Sequence, residues 1–243
     1  MSSTGLVRAA NEDSGYAGRW LHAIADGMGG HPAGDVASAT VIKALARYDA
    51  PSPVGALAAA IGAAVSDANA AIRRQTEADP ALRTMGTTLT AMLWAGHSYA
   101  LAHIGDSRAY LLRDNRLRQL TEDHALANLV ANASTVPFLA PVMTRFLDGR
   151  PDRSPDISLR QARPGDRYLL CSDGLTAVVP DHAIHAALSA CVGIQEAAGQ
   201  LARLTDGGGA PDNLTVILVD VDSTQPGHPQ GPAWLGAAAP AVD

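Results

Sequence analysis

Short apolar runs, each bordered by an aspartate in a breaker-rich turn, recur along this chain of 243 residues. Glycine and asparagine in these turns stop regular structure, so the runs are predicted to be strands rather than long helices. Taken alone, each Asp-Gly or Asp-Asn pair indicates only a turn. Strands that share a core, however, can bring their ends together, and the pattern predicts a cluster of carboxylates at one edge of a sheet. The four aspartates concerned are Asp26, Asp106, Asp173 and Asp212.

Strands and helices are grouped along the chain rather than alternating singly. The strand predictions cover residues 20–25, 87–94, 99–104, 108–112, 157–161, 168–172 and 214–221, with a short strand around Leu117. Helical spacing occurs over residues 36–48, 56–72, 181–190 and 194–204. The links between strands are short, which favours antiparallel neighbours. The grouping predicts an α+β sandwich in one domain over residues 1–222, with sheets in the middle and helices outside.

Two segments lack a regular pattern. Residues 120–147 contain Pro137 and Pro141, which break any long helix, and we expect a loop-rich insertion there. Residues 223–243 are rich in proline, glycine and alanine without periodicity. This composition predicts a flexible tail or the stump of a linker.

Charge and composition exclude several classes of protein. The formal net charge of -6 argues against nucleic acid as a partner, because that affinity comes from basic residues that neutralise phosphates. The two cysteines cannot form a disulfide framework, which favours the cytoplasm. The most apolar helical stretch, residues 54–65, is too short to cross a bilayer, and we expect no membrane span.

Clustered carboxylates require a compensating charge. Two of them about 4 Å apart repel by on the order of 4 kcal/mol at an effective dielectric of about 20. Aspartate oxygens without clustered histidine or cysteine suit Mg²⁺ or Mn²⁺ rather than zinc. Two such ions can share and acidify a water molecule that attacks a phosphate ester. Neither a Cys-x5-Arg loop nor a Gly-x4-Gly-Lys loop is present in the sequence, which argues against cysteine phosphatases and P-loop hydrolases.

Five stretches in order resemble the metal-dependent PPM family of serine/threonine phosphatases, the protein phosphatase 2C type, in its compact bacterial form. The resemblance covers nearly everything up to residue 221 and is completed by Asp212-Asn213. It implies a four-layer α-β-β-α sandwich, in which helices flank two central antiparallel β-sheets. The stretches are residues 8–14 (RAANEDS), 25–38 (ADGMGGHPAGDVAS), 85–89 (MGTTL), 102–110 (AHIGDSRAY) and 171–175 (CSDGL).

The resemblance also implies a set of metal ligands, which bind two Mn²⁺ or Mg²⁺ ions per chain. Asp26 would bridge both ions, and the backbone carbonyl of Gly27 would bind one of them. Asp173 and Asp212 would hold the other ion. Asp106 is expected to bind a third, weaker ion that it shares with Asp173.

Other residues are assigned by the same resemblance to the substrate and to the water molecules around the ions. Arg8 would grip the substrate phosphate, a role that suits the fork of a guanidinium group. Glu12 or Asp13 would orient water from behind the ligands. His31 is a candidate acid for the leaving group. Because some relatives have histidine where this chain has Met28, metal-bound water is the alternative acid.

Several nearby residues are given structural rather than chemical roles. Thr87 and Thr88 are expected to pack or to form hydrogen bonds beneath the site. Arg108 is expected to form a structural ion pair, and Cys171, on a core strand, to be inert. For His124, structural service is preferred to catalysis.

The resemblance implies a serine/threonine protein phosphatase that acts on phosphorylated proteins and opposes kinases. We expect the protein to be a monomer. Residues 121–156 depart from the family pattern, because a His-Pro-x-x-Asn stretch is missing there. This departure motivates an alternative, a pseudophosphatase or phosphoprotein-binding module of the same fold. A further alternative is a phosphatase specialised for a transcription regulator, such as an anti-sigma antagonist.

Overall fold

The computed structural model of the chain describes residues 1–30, 33–126, 143–222 and 231–240. The helices are α1 (Ala33–Leu45), α2 (Leu57–Ala78), α3 (Asp173–Thr176), α4 (Asp181–Ala190) and α5 (Ile194–Gly207). The strands are β1 (Ser2–Ser3), β2 (Asp13–Ala17), β3 (Leu21–Met28), β4 (Gly86–Thr87), β5 (Leu89–Ala95), β6 (Ser98–Ile104), β7 (Arg108–Arg113), β8 (Arg116–Gln119), β9 (Asp156–Gln161), β10 (Arg167–Cys171), β11 (Leu214–Asp220) and β12 (Ala233–Gly236).

Within these described ranges the strands form two sheets in which neighbours are antiparallel. The first sheet has the order β12-β2-β3-β5-β6-β9, and β4 also pairs with β3. The second sheet has the order β1-β11-β10-β7-β8. Short turns connect β2 to β3, β5 to β6 and β7 to β8, and such links favour antiparallel pairing.

Alternation along the strands places the two sheets face to face with helices outside. On β3, Ala23 and Ala25 face the core under α1 and α2, whereas Ile24 faces the second sheet. Between the sheets lie the rings of Trp94, Tyr99 and Tyr168, whose centroids are 4.6 to 5.4 Å apart. Helices α4 and α5 cover the outer face of the second sheet. The predicted four-layer sandwich is confirmed.

Helix α2 is longer than the sequence pattern predicted. By length and composition the segment Val54–Ala78 could cross a membrane, and it is the one segment of this kind in the described part of the chain. The argument that residues 54–65 are too short is therefore wrong. One stripe of α2 is buried in the core beneath the first sheet, as expected for the core helix of a globular protein. The stripe consists of Leu57, Ile61, Ala64, Val65, Ala68 and Ile72.

The end of the chain departs from the predicted flexible tail. Strand β12 pairs with β2, and the ring of Trp234 meets that of Tyr16 edge-on, with centroids 4.7 Å apart. The amide of Ala237 donates a hydrogen bond to the carbonyl of Asp13 at 2.8 Å, and Ala238 is buried. The tail prediction is therefore wrong for residues 231–240, since four residues suffice for a strand where backbone partners and an aromatic contact are available.

We predict that Trp234→Ala lowers the free energy of unfolding by about 2 kcal/mol, because a half-buried indole loses its contact with Tyr16. Denaturant titration followed by circular dichroism measures the change. Val192→Ala is the control, since Val192 is 90% exposed and its loss removes little packing. Equal midpoints for the two variants would show that the contact between Trp234 and Tyr16 adds nothing to stability.

Candidate metal centre

The predicted acidic residues come from both sheets and meet where the sheets adjoin. Asp13 on β2 lies opposite Asp26 on β3 in the first sheet. Asp106 lies in the turn between β6 and β7, which belong to different sheets. Asp173 opens α3 two residues after the end of β10, and Asp212 lies two residues before the start of β11. The strand ends of two packed sheets therefore bring together carboxylates that are remote in sequence.

Close backbone approach explains the glycine after Asp26. A Cβ atom on Gly27 would overlap the carbonyl of Gly34 at the start of α1. A Cβ atom on Gly34 would in turn overlap the carboxylate of Glu12. The amide of Gly27 also donates a hydrogen bond to the carbonyl of Glu12 at 3.2 Å. These two glycines let β3, α1 and the segment before β2 come into contact beside the acidic cluster.

Two threonines fix the backbone of Asp26. The Thr88 hydroxyl accepts a hydrogen bond from the Asp26 amide at 3.0 Å, and the Thr87 hydroxyl donates to the Asp26 carbonyl at 2.9 Å. The Thr88 hydroxyl also contacts that of Ser107 at 2.7 Å, in the turn that carries Asp106. The predicted hydrogen-bonding role of Thr87 and Thr88 is confirmed.

Asp13 joins the two sheets beneath the cluster. The Ser172 hydroxyl donates a hydrogen bond to Asp13 Oδ2 at 2.7 Å, and the Thr215 amide donates to the Ser172 hydroxyl at 2.9 Å. Asp13 is fully buried, and its other oxygen, Oδ1, has no hydrogen-bond partner. A buried carboxylate oxygen without a partner is costly and indicates an unfilled electrostatic requirement.

The pKa values report the same requirement. Burial, followed by the charge of Asp13, raises the pKa of Asp26 well above its usual value. Burial also raises the pKa of Asp173, with repulsion from Asp212 next in size, although a hydrogen bond with Asp26 acts in the opposite direction. The pKa of Asp13 and that of Asp106 both rise to about 7, again mainly through burial. A nearby cation would oppose all of these shifts.

Of the two arginines considered in the sequence, only Arg8 faces the cluster. Its guanidinium group donates to Asp212 at 2.7 Å, while its side chain remains 56% exposed. Arg108 instead bonds Asp123 through Nε and Nη2, at 2.7 to 3.0 Å. The predicted structural ion pair of Arg108 is confirmed, and Arg8 is left as the guanidinium that can reach both the cluster and solvent.

The donor chemistry fits a hard divalent cation, although the side chains do not form a closed ligand set. Asp13 Oδ1 and Asp106 Oδ1 are buried oxygens without partners. No group of three or more acidic, histidine or cysteine side chains in the described ranges is arranged to hold a metal as it stands. Asp212 accepts a hydrogen bond from Arg8, and Asp26 is close enough to Asp173 to lower its pKa. The proposed ligands therefore lie in one region of the described structure without forming a coordinating arrangement.

One predicted site residue cannot be placed: His31 lies outside the described residues. Gly27 and Glu12 lie beside the cluster, as described above. The coordination, acid and water-orienting roles assigned to the site residues stay predictions.

Comparison with known proteins identifies the family. A family model described as protein phosphatase 2C matches residues 9–206. This chain belongs to the protein phosphatase 2C family. The predicted resemblance is thereby confirmed, and the sandwich described above is the fold of a protein phosphatase 2C domain.

Two curated relatives show the extent of the similarity. The serine/threonine protein phosphatase PstP of Mycobacterium tuberculosis is 48% identical over 98% of this chain and 47% of its own length. The chain thus spans about half the length of that relative. The serine/threonine phosphatase stp of Listeria monocytogenes is 34% identical, over 92% of this chain and 95% of its own length.

A solved structure agrees with the fold. The catalytic domain of the serine threonine protein phosphatase PstP, in complex with two manganese ions, superposes with a TM-score of 0.86. It is 50% identical in sequence and covers 92% of this chain and 96% of its own.

Sequence reasoning assigned no role to Asn213, which holds the N-terminal segment in place. Its side-chain oxygen accepts from the Glu12 amide at 2.8 Å. Its side-chain nitrogen donates to the carbonyls of Thr4 and Ala10 at 2.8 and 2.9 Å. Asn213 is buried, so three backbone groups around Arg8 depend on it. The sequence did offer one signal for this role: Asn213 follows the candidate ligand Asp212 and directly precedes β11.

We predict that Asp106→Asn stabilises the protein when EDTA has removed divalent cations, and that the gain in stability is larger at higher pH. The pKa of Asp106 is about 7 in the folded chain and near 3.8 otherwise, so folding favours the protonated acid. The stability that Asp106 provides below pH ~4 is lost as pH rises through about 7. Asparagine avoids this loss, which is worth on the order of 2 kcal/mol.

Thermal unfolding in EDTA between pH 5 and 8 measures the difference between wild type and variant. The comparison cancels the titration of groups that both proteins share. A constant difference over this range would show that Asp106 does not titrate there. With Mn²⁺ in place of EDTA, the sign is expected to reverse, because the cation favours the ionised acid.

Proposed function

We propose that this chain is a metal-dependent phosphohydrolase that removes phosphate from phosphoserine and phosphothreonine in proteins. The observation that carries the proposal is the acidic cluster of a protein phosphatase 2C domain, with the guanidinium group of Arg8 at its open side. Its substrates would be phosphorylated proteins, and serine/threonine kinases would supply them. We further propose that it acts as a monomer. Its two free cysteines favour the cytoplasm as its location.

The proposed cofactor is a pair of Mn²⁺ or Mg²⁺ ions, with a third, weaker ion at Asp106. The manganese-bound PstP relative supports the choice of metal. Asp26, the Gly27 carbonyl, Asp173 and Asp212 would hold the pair. When bound, the ions supply a water nucleophile of lowered pKa and neutralise charge on the phosphate.

The residues of the chain itself supply orientation. Thr87 and Thr88 fix the backbone at Asp26, and the buried Asp13–Ser172 bond holds the two halves of the cluster at one separation. Arg8 would bind phosphate oxygens through its guanidinium fork. Since Arg8 is paired with Asp212, a bound phosphate would take over that arginine and leave the Asp212 carboxylate free to face a cation.

We predict that Asp26→Asn lowers kcat/KM at least about 100-fold, because the substitution removes the central negative charge while keeping the shape. Hydrolysis of p-nitrophenyl phosphate and of a phosphothreonine peptide in Mn²⁺ measures the effect. Asp206→Asn, at an exposed position on α5, is the matched control and should keep wild-type activity. EDTA should abolish turnover by the wild type. Turnover by Asp26→Asn at the wild-type rate would contradict the proposal.

We predict that Arg8→Ala raises KM for the phosphopeptide about 10-fold or more and changes kcat less, because a charge-assisted bond to phosphate is lost. Steady-state kinetics separate the two constants. Arg118→Ala removes an exposed arginine from β8 and serves as the control. An unchanged KM would remove Arg8 from the phosphate site.

The alternative is a phosphoprotein-binding pseudophosphatase of the same fold. The absence of a closed ligand set among the described residues favours testing it. Calorimetry with Mn²⁺ discriminates between the two, since binding without turnover supports the alternative. Metal at about 100 times its dissociation constant should add roughly 2.7 kcal/mol to stability, which a melting curve detects. A panel of phosphoproteins would separate a general phosphatase from one specialised for a transcription regulator.

A further inference from the structure

His124 is buried, at 9% exposure, between the turn that carries Asp106 and the segment that leads to β9. It forms a two-way connection with Gly105. The His124 amide donates to the Gly105 carbonyl at 2.8 Å, and the Gly105 amide donates to His124 Nδ1 at 3.0 Å. Both backbone groups of the residue before Asp106 are therefore held by one histidine.

These bonds determine the tautomer of the ring. A backbone amide can only donate, so Nδ1 of His124 is unprotonated and the neutral ring carries its hydrogen on Nε2. Nε2 lies 2.9 Å from Asp156 Oδ2 and donates to it. Arg145 Nη2 donates to Asp156 Oδ1 at 2.9 Å and to the Ser154 carbonyl at 2.7 Å. Arg145 Nη1 lies 2.7 Å from His124 Nε2, but a guanidinium group can only donate, so this contact is not a hydrogen bond when Nε2 carries the hydrogen. The Asp156 carboxylate thus accepts one hydrogen bond from His124 and one from Arg145.

The backbone of His124 makes a further connection. Its carbonyl accepts from both the amide and the hydroxyl of Thr144, at 2.7 and 2.9 Å. Three elements consequently meet at this residue: the turn after β6, the end of the segment 121–124, and residues 144–156. Both ring nitrogens are occupied by structural bonds, which argues against a role for His124 in proton transfer.

The turn that His124 holds has little freedom to compensate. Gly105 has φ +117°, and a Cβ atom there would overlap the side chain of Thr88. Asp106 follows directly, and its buried Oδ1 has no partner. A displacement of Gly105 therefore moves the carboxylate of Asp106 relative to Asp173. Among nearby charges, that of Asp173 has the largest effect on the pKa of Asp106.

We propose that His124 is a positioning residue whose Nδ1 acceptor sets the Gly105–Asp106 turn for binding of the weaker divalent cation. This inference rests on the proposed function, because it assigns Asp106 to a cation. The bond to Nδ1 is the one that matters for the cation, whereas the bond from Nε2 to Asp156 secures the ring from outside. Loss of an orienting residue of this kind typically weakens metal affinity about 10-fold or more.

Two substitutions separate the ring nitrogens. In His124→Asn, the side-chain oxygen stands the same number of bonds from Cα as Nδ1 and can accept from Gly105. In His124→Gln, the side-chain nitrogen stands in place of Nε2 and can donate to Asp156, but the Nδ1 acceptor is lost. Calorimetric titration of the full chain with Mn²⁺ is the first measurement. The second is the Mn²⁺ concentration that gives half-maximal turnover of p-nitrophenyl phosphate.

We expect His124→Gln to weaken the weakest Mn²⁺ binding event about 10-fold and to raise the half-maximal concentration in parallel. His124→Asn should stay close to wild type in both measurements, as should Asp156→Asn, which keeps an acceptor for Nε2. Melting curves in EDTA check that the variants fold, since a merely structural role would lower all melting temperatures without this split in Mn²⁺ affinity.

Equal Mn²⁺ affinities for His124→Asn and His124→Gln would overturn the proposal. So would a weak site unaffected by either substitution. Failure of the proposed function looks different, because the wild type itself would then neither bind Mn²⁺ nor turn over substrate.

Discussion

Mutual repulsion of buried carboxylates is the constraint that the rest of the structure meets. Asp13, Asp26 and Asp173 are brought together by strands of two different sheets, and burial raises the pKa of each. Without compensation this arrangement favours separation of the sheets, which the core of Trp94, Tyr99 and Tyr168 opposes. Packing between the sheets thus offsets the cost of burying several carboxylates close together.

The residues proposed to bind phosphate and metal contact each other. Arg8 is paired with Asp212, so the carboxylate proposed to bind a cation and the guanidinium proposed to bind phosphate neutralise each other in this structure. Asn213, next to Asp212, holds the backbone on both sides of Arg8. The N-terminal segment and the start of β11 therefore form one unit, and a change on either side affects both proposed ligands.

Sequence patterns predicted the fold well where apolar periodicity was strong. Helix α4 has the predicted bounds, and strands β5 to β7 differ from prediction by one or two residues at their ends. Strand β2 escaped because Asp-Ser-Gly-Tyr-Ala has no alternation, its residues being buried on both faces. The acidic residues were found because strand ends and turns mark them. The contacts of Asn213 and His124 escaped because they join segments far apart in sequence, and local patterns carry no information about such pairs.

The strand formed by Ala233–Gly236 occupies the border of the first sheet, next to β2. A chain cut after residue 222, where composition suggests a boundary, would leave the backbone groups of Asp13–Ala17 open to solvent. Exposed strand borders recruit other chains, so such a fragment would tend to self-associate through the strand that carries Asp13. In this domain, the four residues of β12 thus cover the open edge of the strand that carries Asp13.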